Sequence, residues 1–161
     1  MSNPGGQSSL QKVYLTPKGW QEAEAELNFL VNKKRDEVSD RIEKAREFGD
    51  TEENSEYDAA LDEQMLVENR ISYLEEVLNN AKIINQEVSD GFVRMGSTVR
   101  VEMDGEVNEF TIVGKMEANP AEKMISNESP LGKALLGTKM GQEVDVVTTA
   151  THYQCKILEI K

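Results

Sequence analysis

Glu47-Phe48-Gly49-Asp50-Thr51-Glu52-Glu53-Asn54-Ser55-Glu56-Tyr57 separates two long stretches whose apolar residues recur at helical spacing, and reading it as a turn decides the fold. Before it, Thr16 and Pro17 have the chemistry of a helix start: a hydroxyl that can cap, and a ring suited to the first helical position. Trp20, Ala23, Leu27, Leu30/Val31, Val38, Ile42 and Ala45 then form one apolar stripe. It is interrupted near Lys34, whose aliphatic stem can cover apolar surface while its charge stays in water. Gly49 is placed to close that helix in a left-handed turn. Beyond the turn, Tyr57, Ala60/Leu61, Gln64, Val67, Ile71, Leu74, Leu78 and Ala81 form a seam with spacings of three and four. This second helix is predicted over Glu53 to Lys82, about 45 Å long at about 1.5 Å per residue. Two such helices joined only by Gly49, Asp50 and Thr51 must fold back as an antiparallel coiled-coil hairpin with the turn at its far end.

Working outward, residues 1–12 are rich in Gly, Ser and Pro without periodicity and read as a mobile tail. The hairpin is assigned to 13–84 and a linker to 85–95. From 96 the period changes. Val99, Val101 and Met103 alternate with Thr98, Arg100 and Glu102 up to Asp104-Gly105, a hairpin signal, and a partner strand is expected over Glu106–Lys115. Ser129-Pro130 opens a short helix, Leu131–Leu136, that Gly137 closes. Strands over Glu143–Thr148 and Tyr153–Ile160 complete a small antiparallel sheet with a helix against it, occupying 96–161. The expected class is α+β.

The chain has 161 residues, 18 Lys+Arg against 30 Asp+Glu, and a net charge of −12. That balance excludes a general binder of nucleic-acid backbones and disfavours anionic membrane surfaces. No apolar run is long enough to span a bilayer and the N-terminus lacks a signal-peptide core, so a soluble, cytoplasmic protein is expected. One cysteine, Cys155, and one histidine, His152, leave no internal disulfide and no His/Cys metal cluster. Any metal must be held by carboxylates. The charge is unevenly spread: from Glu47 to Asn69 there are acids and no Lys or Arg, whereas Lys33, Lys34, Arg35, Arg41, Lys44 and Arg46 all lie on the first helix.

Two readings of the acidic turn stand side by side. Asp50 can cap the second helix while Glu53 reaches back in a capping box, and acids there suit the helix dipole. Alternatively, Asp50 and Glu53 present oxygens to a hard cation such as Mg2+, which takes one or two protein carboxylates and needs its other ligands from elsewhere. The basic strip likewise reads either as a solvated face paired with Asp36, Glu37, Asp40 and Glu43, or as a local attraction for RNA.

Glu47-Phe48-Gly49-Asp50-Thr51-Glu52-Glu53-Asn54-Ser55-Glu56-Tyr57-Asp58-Ala59-Ala60 resembles the coiled-coil tip signature of the bacterial Gre transcript cleavage and elongation factors, GreA and GreB. Ser129-Pro130-Leu131-Gly132-Lys133-Ala134-Leu135-Leu136-Gly137 is similar to the signature of their C-terminal domain, and Leu78-Asn79-Asn80-Ala81-Lys82-Ile83-Ile84 to the segment before their linker. The resemblance covers about Tyr14 to Lys161. It implies an FKBP-like C-terminal domain and a monomer that binds bacterial RNA polymerase, with Ser129 and Pro130 at the docking end, and inserts its coiled coil into the secondary channel. There Asp50 and Glu53 would be the catalytic pair, sharing a Mg2+ with the polymerase for cleavage of backtracked RNA, a metal not stably bound by the chain alone. Gly49, Asn54 and Tyr57 would support the tip, and Arg41, Lys44 and Arg46 would meet the nascent RNA 3′ segment. The factor would stimulate the polymerase's own cleavage rather than be an enzyme. Leu61 stands where GreA proteins often carry Arg, a departure that weakens RNA gripping and favours the GreA side over GreB. Three alternatives remain: a Gre-related inhibitor, for which the extra acid Glu52 speaks; a coiled-coil adaptor whose acids are only caps; and a prolyl isomerase. The last needs an aromatic pocket, and residues 95–161 hold only Phe110 and Tyr153.

Overall fold

The structure, a computed structural model, describes residues 12–49, 54–84 and 90–161. It has two compact units: Trp20–Asn80, and the described residues of Met1–Gly19 together with Ala81–Lys161. The described residues up to Gly19 and those from Ala81 onward, which include both ends of the 13–84 assigned to the hairpin, group with the sheet by compactness.

Helix α1 (Pro17–Phe29) passes through a π-helical turn (Leu30–Lys34) into α2 (Arg35–Glu47), and α3 (Ser55–Asn80) runs back. Ala23, Leu30, Val38, Ile42 and Ala45 are buried on the first arm; Ala60, Val67, Ile71, Leu74 and Val77 are buried on α3. Leu30 and Val38 are eight positions apart, more than two α-turns of 3.6 residues would span. The π-turn, in which the Arg35 N–H reaches the Leu30 carbonyl, absorbs the surplus and brings α2's stripe back toward α3. The break that the sequence showed near Lys34 is thus a widened turn. Lys34 is half-buried and its Nζ lies 2.6 Å from Glu63. On α3, Leu61 and Gln64 are exposed and Val77 replaces Leu78 as the fully buried position.

The predicted second helix is too long at both ends. It begins at Ser55, and after Asn80 the chain turns to strand: β2 (Lys82–Ile83) pairs in parallel with β1 (Tyr14–Leu15). Lys82 N–H donates to the Val13 carbonyl at 2.8 Å and Ile84 N–H to that of Leu15 at 2.7 Å. Pairing satisfies backbone groups that Leu15 and Ile84, both buried, carry out of water.

The main sheet has the order β5-β4-β3-β7-β6, formed by β3 (Thr98–Met103), β4 (Glu106–Val113), β5 (Met124–Ser126), β6 (Glu143–Val147) and β7 (His152–Ile160). Asp104 (φ 51°) and Gly105 (φ 82°) make the β3–β4 turn, as the Asp-Gly pair predicts. The sheet is mixed rather than antiparallel, because β5 pairs in parallel with β4. Strand β5 is short and reached through two 3-10 turns, so no periodicity announced it. Helix α4 (Pro130–Leu135) contributes Leu135 to a core with Val93, Val99, Val101, Ile112, Val146, Cys155 and Ile157. Burial pushes the Cys155 thiol up to about 11, so it behaves as a small apolar core residue.

Two helix starts in this unit share one design. In Thr16-Pro17-Lys18-Gly19 and in Ser129-Pro130-Leu131-Gly132, the hydroxyl accepts the glycine N–H at 3.0 Å, and the proline occupies the first helical position. Each glycine is a close approach. A Cβ on Gly19 would lie 2.2 Å from the Glu117 carboxyl group, and one on Gly132 would lie 2.1 Å from the Ser126 carbonyl oxygen. Glu117 accepts the Thr16 N–H at 2.7 Å and also its hydroxyl. The Ser126 carbonyl is backbone and cannot swing away, whereas the Glu117 side chain can. Gly132→Ala is therefore expected to lower stability by about 2–3 kcal/mol, and Gly19→Ala by less. Paired thermal melts check this, and equal melting temperatures for wild type and Gly132→Ala would contradict it.

Candidate functional site at the hairpin turn

The turn is built by the last residues of α2 and the first of α3. α2 ends at Glu47, with Phe48 following in near-helical conformation and Gly49 at φ +148°. That positive φ, more extended than the left-handed helical value expected, still favours glycine. On the returning side Asn54 does two jobs. Its Oδ1 accepts the Tyr57 N–H at 3.2 Å, in the manner of a helix cap, and its Nδ2 donates to the Ala45 carbonyl at 2.7 Å. The second bond satisfies one of the carbonyls that the end of α2 leaves open. An aspartate could perform the first job but, lacking a donor, not the second.

The capping role that the sequence offered to Asp50, with Glu53 as its return partner, is thus performed by Asn54, and α3 starts two positions later than Glu53. Asp50 and Glu53 themselves lie outside the described residues. Of the proposed tip supports, Gly49, Asn54 and Tyr57 lie among the described residues. Tyr57 is half-buried with the Arg46 guanidinium 6.0 Å from its ring centre.

The basic strip pairs differently from the solvated face along one helix that the sequence offered. Most of its pairing is across the hairpin, not along α2. Arg41 bonds to Glu56 at 2.7 Å and to Glu63; Lys34 also pairs with Glu63; Arg35 makes a two-pronged contact with Glu68, both bonds 2.7 Å. Arg70 returns the contact to Glu26 with bonds of 2.7 and 2.8 Å. Among the described residues only Lys33–Glu37, at 4.0 Å, follows the helical spacing expected along the strip. Of the three candidate RNA contacts, Arg41 is engaged in this ladder and Arg46 lies on Tyr57. Lys44 is exposed and forms no ion pair among the described residues.

Each ladder pair favours its charged forms. Bonding to Arg70, Arg41, Lys34 with Arg41, and Arg35 holds Glu26, Glu56, Glu63 and Glu68 respectively below the ordinary glutamate value. A carboxylate with a depressed folded pKa contributes stability above its unfolded value of about 4.3 and loses it as pH falls through the folded value. The melting temperature of the helical signal is therefore expected to hold from pH 7 to about 5 and to drop below about 4.3. Glu63→Gln should shallow that acid slope in far-ultraviolet circular dichroism; an unchanged slope would remove Glu63 from the account.

In the sheet unit, Ser129 is occupied with the fold: its hydroxyl donates to the Ser126 carbonyl at 2.6 Å and accepts from Gly132. Pro130 beside it is exposed. Sequence reasoning passed over Glu117, which sits far along the chain from the Thr16 it binds, and gave Phe48 no role, although 91% of it is exposed. No group of three or more potential metal ligands occurs among the described residues. No described helix is long and apolar enough to cross a membrane.

A helical hairpin with this turn and a sheet unit with this capped helix define a class. Residues 13–83 match the family described as transcription elongation factor, N-terminal, and residues 88–161 match transcription elongation factor, GreA/GreB, C-term. The chain belongs to the GreA/GreB family of transcription elongation factors. Within it the similarity is to GreA. The transcription elongation factor GreA of Caldanaerobacter subterraneus subsp. tengcongensis is 48% identical over 152 residues, covering 92% of this chain and 97% of the relative. That of Bacillus subtilis is 47% identical over 153 residues, covering 93% and 98%. A solved structure of the GreA factor homolog 1 (Gfh1) protein of Thermus thermophilus is 28% identical, covers 94% of this chain and 99% of that one, and has a TM-score of 0.44.

Proposed function

We propose that this chain binds bacterial RNA polymerase, inserts its helical hairpin into the secondary channel, and stimulates Mg2+-dependent cleavage of backtracked RNA. The observation that carries the reading is the pair of hydrogen bonds made by Asn54, which cap α3 and tie it to α2. Asp50 and Glu53, which lie outside the described residues, would then serve as oxygen ligands, and two carboxylates are the donor set a hard cation takes. The described residues offer no three-ligand group, so the polymerase would have to complete the coordination. When bound, the ion supplies activation of a water and stabilisation of charge at the cleaved phosphodiester.

The protein's own contribution is delivery. Asn54 fixes the register of the turn, Tyr57 and Arg46 stiffen its base, and the ladder from Arg41 to Arg35 holds the two arms together as one rod. Because Arg41 is committed to Glu56 and Glu63, Lys44 is the residue of the strip best placed to attract the RNA 3′ segment. Pro130, exposed at the start of α4, would lie on the docking face of the sheet unit, with Ser129 holding that helix in shape. The chain is read as acting in the cytoplasm as a monomer.

The test is a backtracked elongation complex assembled with the polymerase of the same organism, to which the full chain and Mg2+ are added. Release of a short 3′ RNA fragment, absent with the chain alone, is the expected result. Binding without release would replace this reading with that of a Gre-related inhibitor of the polymerase.

A further inference from the structure

Phe48 is the most exposed of the large apolar side chains described, with 91% of its surface open. Its surroundings are open as well: a Cβ added at the neighbouring Gly49 would meet nothing within 4 Å. The ring is not part of an apolar run, since Arg46, Glu47, Gly49 and Asp50 flank it. A face that docks on another protein is normally a contiguous apolar patch of several hundred Å2, which one ring does not make. One turn earlier on α2, at the i−4 position and so on the same edge, stands Lys44, exposed and without an ion pair among the described residues. A flat exposed ring on the same helix edge as an exposed cation is the pairing that single-stranded nucleic acid recognises: the ring takes a base face and the cation a phosphate. A duplex, whose bases are already stacked, has no face to offer it.

We propose that Phe48 is a stacking surface for an unpaired base of the extruded RNA 3′ segment, with Lys44 meeting the adjoining phosphate. This rests on the function proposed above and names the residues by which the hairpin would recognise its RNA.

The experiment uses the full chain and two elongation complexes, one backtracked with 2-aminopurine in the extruded RNA and one with no extruded RNA. Wild type and Phe48→Tyr should quench the 2-aminopurine fluorescence; Phe48→Leu, apolar but without a ring, should not. Phe48→Leu should also bind the backtracked complex about tenfold more weakly, while binding the other complex as wild type does. Lack of quenching by wild type, or equal quenching by Phe48→Leu, would overturn the proposal. So would an equal loss of affinity on both complexes, which would mean that the ring contacts protein. Fluorescence needs no cleavage, so quenching by a wild type that fails to cleave would uphold the stacking surface and sink the cleavage role alone. Failure to bind either complex would sink both.

Discussion

Asp50→Ala and Glu53→Ala are each expected to slow cleavage of backtracked RNA by about a hundredfold or more, as loss of one of a few metal ligands does. Both variants should keep the affinity of wild type for the polymerase and melt within about 0.5 kcal/mol of it, the usual range for surface changes away from a structural feature. The second expectation follows from Asn54, which carries the cap of α3 by accepting from Tyr57. Cleavage rate, binding and helical melting measured on the same preparations separate the two readings of these acids. If either variant loses helix content in proportion to cleavage, the acids are structural. If both remain folded and bound yet fail to cleave, the chemistry is theirs. Raising Mg2+ should restore part of the rate, because a missing ligand weakens occupancy of the ion.

Asn54 should show the opposite pattern. Asn54→Ala removes the acceptor for the Tyr57 N–H and the donor to the Ala45 carbonyl, and is expected to cost about 2 kcal/mol of stability. Asn54→Asp retains the acceptor, loses the donor, and brings negative charge toward the Ala45 carbonyl, at about 1 kcal/mol. Both should reduce cleavage by about tenfold through misplacement of the turn, although neither removes a carboxylate. Asn54→Asp is the sharper variant, because it preserves the cap and tests the tie between the helices alone. Wild-type melting and cleavage for Asn54→Asp would show that the bond to Ala45 does not hold the tip.

The hairpin and much of the sheet unit were legible in the sequence because their signals are local. Apolar spacing of three and four says helix whatever it packs against, Asp104-Gly105 meets the φ demands of a two-residue turn, and Ser129-Pro130 carries both halves of a helix start. The candidate site was legible as a set of residue types, and its acids were noticed for their position. Their relation to the helix cap was not, because Asp50 and Asn54 both have side chains able to cap and only the registration of α3 selects between them. Leu61 and Gln64 entered the predicted seam for a related reason: spacing identifies a stripe to within one residue, and the partner helix decides which edge of it is covered.

What the sequence by itself determined is where the chain coils, where it alternates and where it must turn, since each depends on residues a few positions apart. Only the tertiary structure decided which distant groups meet. The π-turn at Leu30–Lys34 exists because two stripes out of step by a residue must both face α3. The parallel pairing of Tyr14–Leu15 with Lys82–Ile83 joins segments that flank the hairpin on either side in sequence, and Glu117 closes on a helix start a hundred residues away. The cations of the first arm, which could have paired along their own helix, mostly found acids on the other arm. Such choices turn on geometry between elements, and no local spacing records it.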